Sequence, residues 1–218
     1  MVDPKTVFIA GATGYIGCRL CAALIARGHT VIALARPGSQ VRLAAACRVV
    51  LGNALDADSY AAQVPPGCIF VHLVGVAHPN PAKAQQFIDV DLASVRASLC
   101  AASCAAHFVY VSVAQPAPVM AAFIQARQAA EQLIAQSGLA ATILRPWYVL
   151  GPGHRWPLLL LPVYWLLERL PLTAPHAHRL GLVTLAQMVN ALTYAVEQAA
   201  PGWHIYNVAQ IRSANIFS

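Results

Sequence analysis

Short runs of apolar residues recur along the chain, each followed by a stretch with apolar residues spaced as on one face of a helix. TVFIA at 6–10, TVIALAR at 30–36, CRVVLG at 47–52, CIFVHLVG at 68–75, HFVYVS at 107–112 and ATILRP at 141–146 read as strands. Their apolar character is continuous, which is what burial on both faces of a sheet requires. Between them, CRLCAALIARG at 18–28, residues 82–105 and residues 118–137 read as helices, with shorter ones at 41–46 and 56–63. VPPG at 64–67 and HPNP at 78–81 break the chain, and Ser137-Gly138 stops a helix.

Strands alternating with helices imply right-handed crossovers and a parallel sheet. The expected fold is therefore α/β: a doubly wound parallel sheet in a three-layer αβα sandwich. No repeat or linker divides the chain, so residues 1–218 are expected to form a single domain. After residue 150 the pattern turns irregular, with prolines at 152, 157, 162, 171 and 175. A helix at 183–198 and a strand at 203–209 follow. The stretch 151–182 is expected to be a substrate or interface insertion. It contains WPLLLLPVYWLL at 156–167, too short to span a bilayer as a helix. The wall of an apolar pocket, a homodimer interface through 156–172, and contact with a membrane surface would each account for it.

Composition narrows the partners. Hydrophobic residues make up 58% of the chain and charged residues 10%. The net charge of +6 comes from 14 basic and 8 acidic residues, and the arginines are scattered. Without a basic stripe or interleaved aromatics, nucleic acid is excluded as a partner. The opening MVDPK carries an acid and a proline, unlike a secretory leader. The expected location is cytoplasmic, with a peripheral position at the membrane as the alternative. The six cysteines include the pairs Cys18/Cys21 and Cys100/Cys104, both at helical spacing. They are expected to pack as small hydrophobes, and no metal site is expected.

The candidate chemistry begins at the first strand. TVFIAGATGYIG at 6–17 places Gly11, Gly14 and Gly17 between a strand and a helix. Glycine permits backbone angles closed to other residues and lets a ligand approach the main chain. The helix N-terminus adds free N–H groups and a positive dipole end. That combination is a dinucleotide pyrophosphate site of the Rossmann type, and the ligand is expected outside the strand C-termini at the topological switch point. An acidic residue some 20 positions past the glycines would bind the ribose 2′-OH of NAD. Arg36 lies there instead, 19 residues after Gly17. A guanidinium pairs with a 2′-phosphate, so NADP is the expected cofactor and NAD the alternative.

The spacing Gly11-x-x-Gly14-x-x-Gly17 resembles the short-chain dehydrogenase/reductase superfamily in its extended and atypical branches. Gly28-His29-Thr30-Val31, Leu34-Ala35-Arg36-Pro37, Gly52-Asn53-Ala54-Leu55-Asp56, His72-Leu73-Val74-Gly75, Ser137-Gly138-Leu139, Ile143-Leu144-Arg145-Pro146 and Gly151-Pro152-Gly153 extend the resemblance over nearly the whole chain. NmrA-like, flavin-reductase-like and epimerase/dehydratase-like members are the most similar. The resemblance implies that Gly11, Thr13, Gly14, Tyr15, Ile16 and Gly17 hold the pyrophosphate. Arg36 would take the 2′-phosphate, and Asn53 and Ala54 would flank the adenine. Val74, Gly75, Ser112, Arg127 and Pro146 would line the ribose and nicotinamide.

The family's catalytic pattern is a strand-end serine followed by Tyr-x-x-x-Lys on the next helix. Aligned through Glu131 and the Ser137-Gly138-Leu139 stop, Ser112 matches the serine. Phe123 and Arg127 stand where the tyrosine and lysine would, four apart on one helix face. Phenylalanine has no proton to give, and arginine keeps its own near neutral pH. Either another group supplies the proton, with Tyr148 and His154 the candidates, or the acceptor is flavin- or quinone-like and takes its proton from water. Two functions follow: a reductase of a small apolar molecule, with Ser112, Tyr148 and Arg127 as catalytic candidates, or a non-catalytic nucleotide sensor or structural subunit. Plainer roles compete at each position. Phe123 can be a core aromatic, Ser112 a turn residue and His72 a satisfied buried histidine.

Overall fold

The computed structural model describes residues 3–77, 79–117, 119–152 and 181–214. Strands β1 (Thr6–Ala10), β2 (Thr30–Ala35), β3 (Arg48–Leu51), β4 (Ile69–His72), β5 (His107–Val111), β6 (Ala141–Leu144) and β9 (Trp203–Tyr206) build one parallel sheet in the order β3-β2-β1-β4-β5-β6-β9. The order reverses at β1, so a crevice opens where β1 and β4 diverge toward their connections. A second, two-stranded parallel ladder joins β7 (Tyr148–Leu150) to β8 (Leu182–Thr184). Among the described residues the α-helices are α1 (Gly17–Ala26), α2 (Ala84–Gln86), α3 (Ala93–Ala101), α4 (Ala121–Gln136), α5 (Leu185–Glu197) and α6 (Val208–Ser213).

Side-chain alternation along each strand divides the core into two layers. Val7 and Ile9 of β1 pack with Leu20 and Leu24 of α1 and with Met188 and Leu192 of α5. Phe8 and Ala10 face the other way, toward Val95 of α3 and Ala130 and Ile134 of α4. Register places Phe8 beside Phe70 and Phe70 beside Phe108. The three rings stack with centroids 5.2 and 5.3 Å apart. Such pairs contribute roughly 0.5–1.5 kcal/mol each beyond their burial. The doubly wound fold read from the sequence is the fold observed, with all seven expected strands in the sheet.

The helical expectations hold less evenly. At 41–46 only one 3-10 turn forms, Gln40–Arg42, and Val41 is 83% exposed. A segment that short cannot offset helix nucleation without an apolar face to bury. The helix expected at 56–63 is two 3-10 turns, Ala57–Ser59 and Ala61–Gln63, because Tyr60 leaves helical geometry to bury its ring against Phe8. Residues 82–105 trace a helical path from Pro81 to Ala101 that widens into a π-helical segment over Phe87–Leu92. The start of the 183–198 helix is β8 instead, and Thr184 then caps α5 in a capping box with Gln187.

The cysteines are free thiols. Cys21 and Cys68 are buried as expected, and burial pushes the Cys68 thiol up to about 11. Cys100 and Cys104 are exposed and do not pack as expected, because α3 ends at Ala101 and Cys104 lies in the turn beyond it. Among the described residues no helix is long and apolar enough to cross a membrane, and no group of His, Cys, Asp and Glu is placed to hold a metal.

Candidate functional site

The glycine turn is a space-filling necessity before it is a binding element. Gly11 has a φ of +85°, and a Cβ there would stand 2.8 Å from the carbonyl carbon of Leu73. A Cβ at Gly17 would overlap the carbonyl oxygens of Gly11 and Ala12, so α1 could not pack onto the turn. Gly14 has more room, its nearest neighbour being the Gly11 oxygen at 3.1 Å. The ten-residue α1 begins directly behind the turn, with no acidic side chain in its first turn. Nothing there opposes an anion at the positive end of the helix.

A cleft of about 420 Å³ opens at the C-terminal ends of β1 to β4. Gly11, Thr13, Gly14, Arg36, Asn53, Ala54, Val74 and Gly75 all line it. Arg36 is exposed at the rim, where Pro37 and Gly38 turn the chain and Ser39 bonds back to the Arg36 carbonyl at 2.7 Å. Asn53 is set by Ser59, whose Oγ accepts from the Asn53 N–H at 3.0 Å, while Asn53 Oδ1 accepts from the Leu55 N–H at 3.1 Å. A larger hollow of about 580 Å³ lies at the opposite end of the sheet, at the N-terminal ends of β1, β4 and β5. Its polar side chains are already engaged, Lys5 with the carbonyls of Val196 and Glu197 and His107 with Thr142. The first cleft is the one at the switch point.

The remaining sequence candidates do not line that cleft. Tyr15 lies against Gly151, Ile16 precedes α1 and packs on the core, and Gly17 is buried under the turn. The Pro146 carbonyl accepts from the Ala114 N–H at 2.9 Å and ties the ends of β5 and β6 together. Tyr148 is half-buried in β7, opposite Leu182. His154 and the apolar segment 156–167, with the wider 156–172 surface, lie outside the described residues.

Ser112 and Arg127 are each held in a buried cluster of polar groups, and the Arg127 cluster abuts the cleft-lining Gly75. Arg127 Nη2 pairs with Asp91 Oδ2 at 3.1 Å, and its Nη1 donates to the Val111 carbonyl at 2.7 Å and the Tyr110 hydroxyl at 3.2 Å. Its guanidinium lies 5.1 Å from the Phe123 ring centroid, and Phe123 meets Phe87 edge-on at 5.0 Å. A Cβ at Gly75 would overlap Arg127 Nη2, so a side chain there would have to displace the guanidinium from its place beside Asp91. Asp91 also accepts from the Val76 N–H at 2.7 Å, which pins the chain just past the cleft-lining Gly75. Burial raises the Asp91 carboxyl, and the Arg127 charge opposes that rise.

Ser112 Oγ donates to Glu131 Oε1 at 2.5 Å, and Arg145 grips the same carboxylate at 3.0 and 2.5 Å. His72 is fully buried between Ser98 at 2.9 Å and Ser94 at 3.3 Å. Burial, reinforced by the Arg127 charge, lowers its pKa to about 3, so it is neutral at physiological pH. Sequence reasoning did not assign roles to Asp91, Gln115 or Arg145, and used Glu131 only as an alignment landmark. The Asp91–Arg127 pairing depends on the π-helical segment, which no spacing rule announces.

A protein-family model described as NAD(P)H-binding matches residues 11–153, well over half of the chain. The chain belongs to the NAD(P)H-binding family. Among curated relatives of this NAD(P)H-binding chain is the 3-diazoavenalumate denitrifying reductase of a Streptomyces species, 30% identical over 175 residues. That match takes in 67% of this chain and 57% of the relative. The chloroplastic divinyl chlorophyllide a 8-vinyl-reductase of Oryza sativa subsp. indica is 42% identical over 72 residues, 28% of this chain and 18% of that one. The chain therefore spans little more than half of the first relative and a small part of the second. In fold it matches a short-chain dehydrogenase/reductase superfamily protein from Agrobacterium tumefaciens solved with bound NAD. The TM-score is 0.67 at 17% identity, covering 93% of this chain and 77% of the other. The NAD(P)H-binding domain thus shares the fold of that protein.

Proposed function

We propose that the protein is an NADP-dependent reductase of atypical short-chain type, acting on an apolar, flavin- or quinone-like acceptor without a tyrosine acid. The observation that carries this reading is the switch-point cleft, with the glycine turn on one wall and Arg36 at the rim where an NAD-selective site would hold a carboxylate. The residues present fit the cofactor: the turn is closed by Gly11 and Gly17, where backbone leaves no room for a side chain, and α1 offers an N-terminus free of acids. Gly11, Thr13 and Gly14 would meet the pyrophosphate, with Tyr15, Ile16 and Gly17 shaping the turn from behind. Arg36 would pair with the 2′-phosphate, Asn53 and Ala54 would flank the adenine, and Val74 and Gly75 would meet the ribose. Ser112, Arg127 and Pro146 would border the nicotinamide end.

Held by Gly11, Thr13, Gly14 and Arg36, the cofactor would supply hydride-transfer chemistry, and with Phe123 at the tyrosine position the acceptor would have to be one that can collect its balancing proton from water. Phe123 then serves as an apolar wall, braced by Phe87 and Arg127. The two curated relatives are both named as reductases, which supports the reaction class. Tyr148 in β7 is the fallback proton donor.

A second reading, a nucleotide sensor without turnover, is favoured by the Asp91–Arg127 pair, which engages the arginine at the lysine position within the protein. Tryptophan-fluorescence titration with NADPH and NADH, followed by stopped-flow oxidation of bound NADPH by flavin and quinone acceptors, separates the two. NADPH binding tighter than NADH, with the difference reduced roughly 10- to 100-fold in Arg36→Ala, and rapid oxidation would support the reductase. Tight binding with no oxidation would leave the sensor. Absence of binding by either nucleotide would sink both.

A further inference from the structure

Gly75, Ala77 and Val90 line the switch-point cleft, yet they come from two separate stretches of chain. Gly75 and Ala77 flank Val76 in the loop after β4, and Val90 belongs to the π-helical segment Phe87–Leu92. Asp91, the next residue after Val90, joins the two. Its side chain is buried and does not line the cleft. Oδ1 accepts from the Val76 N–H at 2.7 Å, so the bond holds the peptide between two wall residues. The Gly75–Val76 peptide is trans, with N–H and carbonyl pointing opposite ways, so the same bond fixes the direction of the Gly75 carbonyl. Asp91 is held in turn. Arg127 Nη2 lies 3.1 Å from its Oδ2, and Arg127 Nη1 donates to the Val111 carbonyl at the end of β5 at 2.7 Å. The cleft wall is thus tied to the sheet through Val76, Asp91, Arg127 and Val111. A Cβ at Gly75 would meet Arg127 Nη2 first and Asp91 Oδ1 next, at 3.4 Å, so it would point at this pair.

We propose that Asp91 is a positioning residue for nucleotide binding: through Val76 it sets the wall made by Gly75, Ala77 and Val90, with Arg127 as the brace that holds it there. The proposal rests on a nucleotide occupying this cleft, as in the proposed reductase. The arginine at the lysine position then shapes the cleft through Asp91. A loop without this bond samples arrangements that do not fit the ligand. The apparent affinity falls in proportion to the time the loop spends away from the fitting one.

The test titrates NADPH and NADH into three forms of the full chain: wild type, Arg127→Met, and Asp91→Leu combined with Arg127→Met. In Arg127→Met the brace is gone, and the buried carboxyl, no longer opposed by a cation, takes up a proton but keeps an oxygen for the Val76 N–H. NADPH binding should weaken about threefold. Adding Asp91→Leu removes the acceptor and should weaken it roughly tenfold further, the worth of one hydrogen bond. If Arg127 instead touched the nucleotide directly, the whole loss would appear in Arg127→Met and Asp91→Leu would add none, which overturns the proposal. A double variant that binds like the wild type overturns it as well. Amide hydrogen exchange of the nucleotide-free protein gives a second readout. Val76 should exchange slowly in the wild type and quickly in the double variant, with Phe70 and Val109 in the sheet slow in both. Fast exchange of Val76 in the wild type would count against the proposal. Should the Arg127 variants not fold, Gly75→Ala decides. Its methyl group pushes the guanidinium away from Asp91, so it should weaken NADPH binding about three- to tenfold and quicken Val76 exchange together. A loss of affinity with Val76 unchanged would refute the positioning role. A wild type that prefers NADH would sink the NADP reading alone, since the same variants titrated with NADH still judge Asp91. Absence of binding by either nucleotide would sink both.

Discussion

Gly17 and Gly14 look alike in the sequence and differ in what surrounds them. A methyl group at 17 overlaps two backbone carbonyl oxygens that cannot swing away, whereas one at 14 meets a single oxygen at 3.1 Å on the cleft side. Gly17→Ala should therefore lower stability by about 1–3 kcal/mol, as overpacking against rigid neighbours does. Gly14→Ala should cost less stability and weaken NADPH binding more. Urea denaturation beside nucleotide titration checks both, and equal stability losses would refute the distinction. The glycines and Arg36 were legible because a local motif fixes their spacing to a strand end. Asp91, Gln115 and Arg145 were not, because their roles come from contacts that no local periodicity encodes: Asp91 with Arg127, and Gln115 and Arg145 with Glu131.

At the scale of elements, the π-helical segment Phe87–Leu92 explains how α3 and α4 lock together. It brings Phe87 against Phe123 and Asp91 against Arg127, and it was invisible in an alanine-rich stretch that reads as one even helix. Asp91→Ala leaves a guanidinium nine-tenths buried with no countercharge. That should destabilise the fold by about 3–5 kcal/mol, whereas the double change Asp91→Leu with Arg127→Met should recover most of the loss. Chemical denaturation of the three proteins measures it. If Asp91→Ala were neutral, the pair would not be holding the helices. The strands were the readable elements because burial on both faces writes them as continuous apolar runs. The short helical turns at 40–42 and 57–63 were not, because Tyr60 and the rest of the fold decide them from outside.

Across the whole molecule the sheet order follows from the alternation of elements, but the fastening of its first and last parts does not. At the end of the sheet opposite the cleft, Glu197 of α5 bonds Arg27 and His29, some 170 residues away, and Lys5 Nζ caps the α5 carbonyls of Val196 and Glu197. Burial alone would raise the Glu197 carboxyl, but the bonds from Arg27 and His29 outweigh it and hold the carboxyl below its ordinary value of 4.5. A carboxylate lowered in the folded state stabilises the fold fully above its unfolded value, and that contribution disappears as pH falls through the lowered one. Glu197→Gln should accordingly cost about 1.5–3 kcal/mol at pH 7, the usual worth of charged hydrogen bonds. The variant should also lose less stability than the wild type between pH 5 and pH 3, so the two curves converge in acid. Thermal unfolding across that range is the measurement. Parallel curves would mean that Glu197 is no more strongly held in the folded chain than in the unfolded one, and that α1 and α5 are joined by their apolar faces alone.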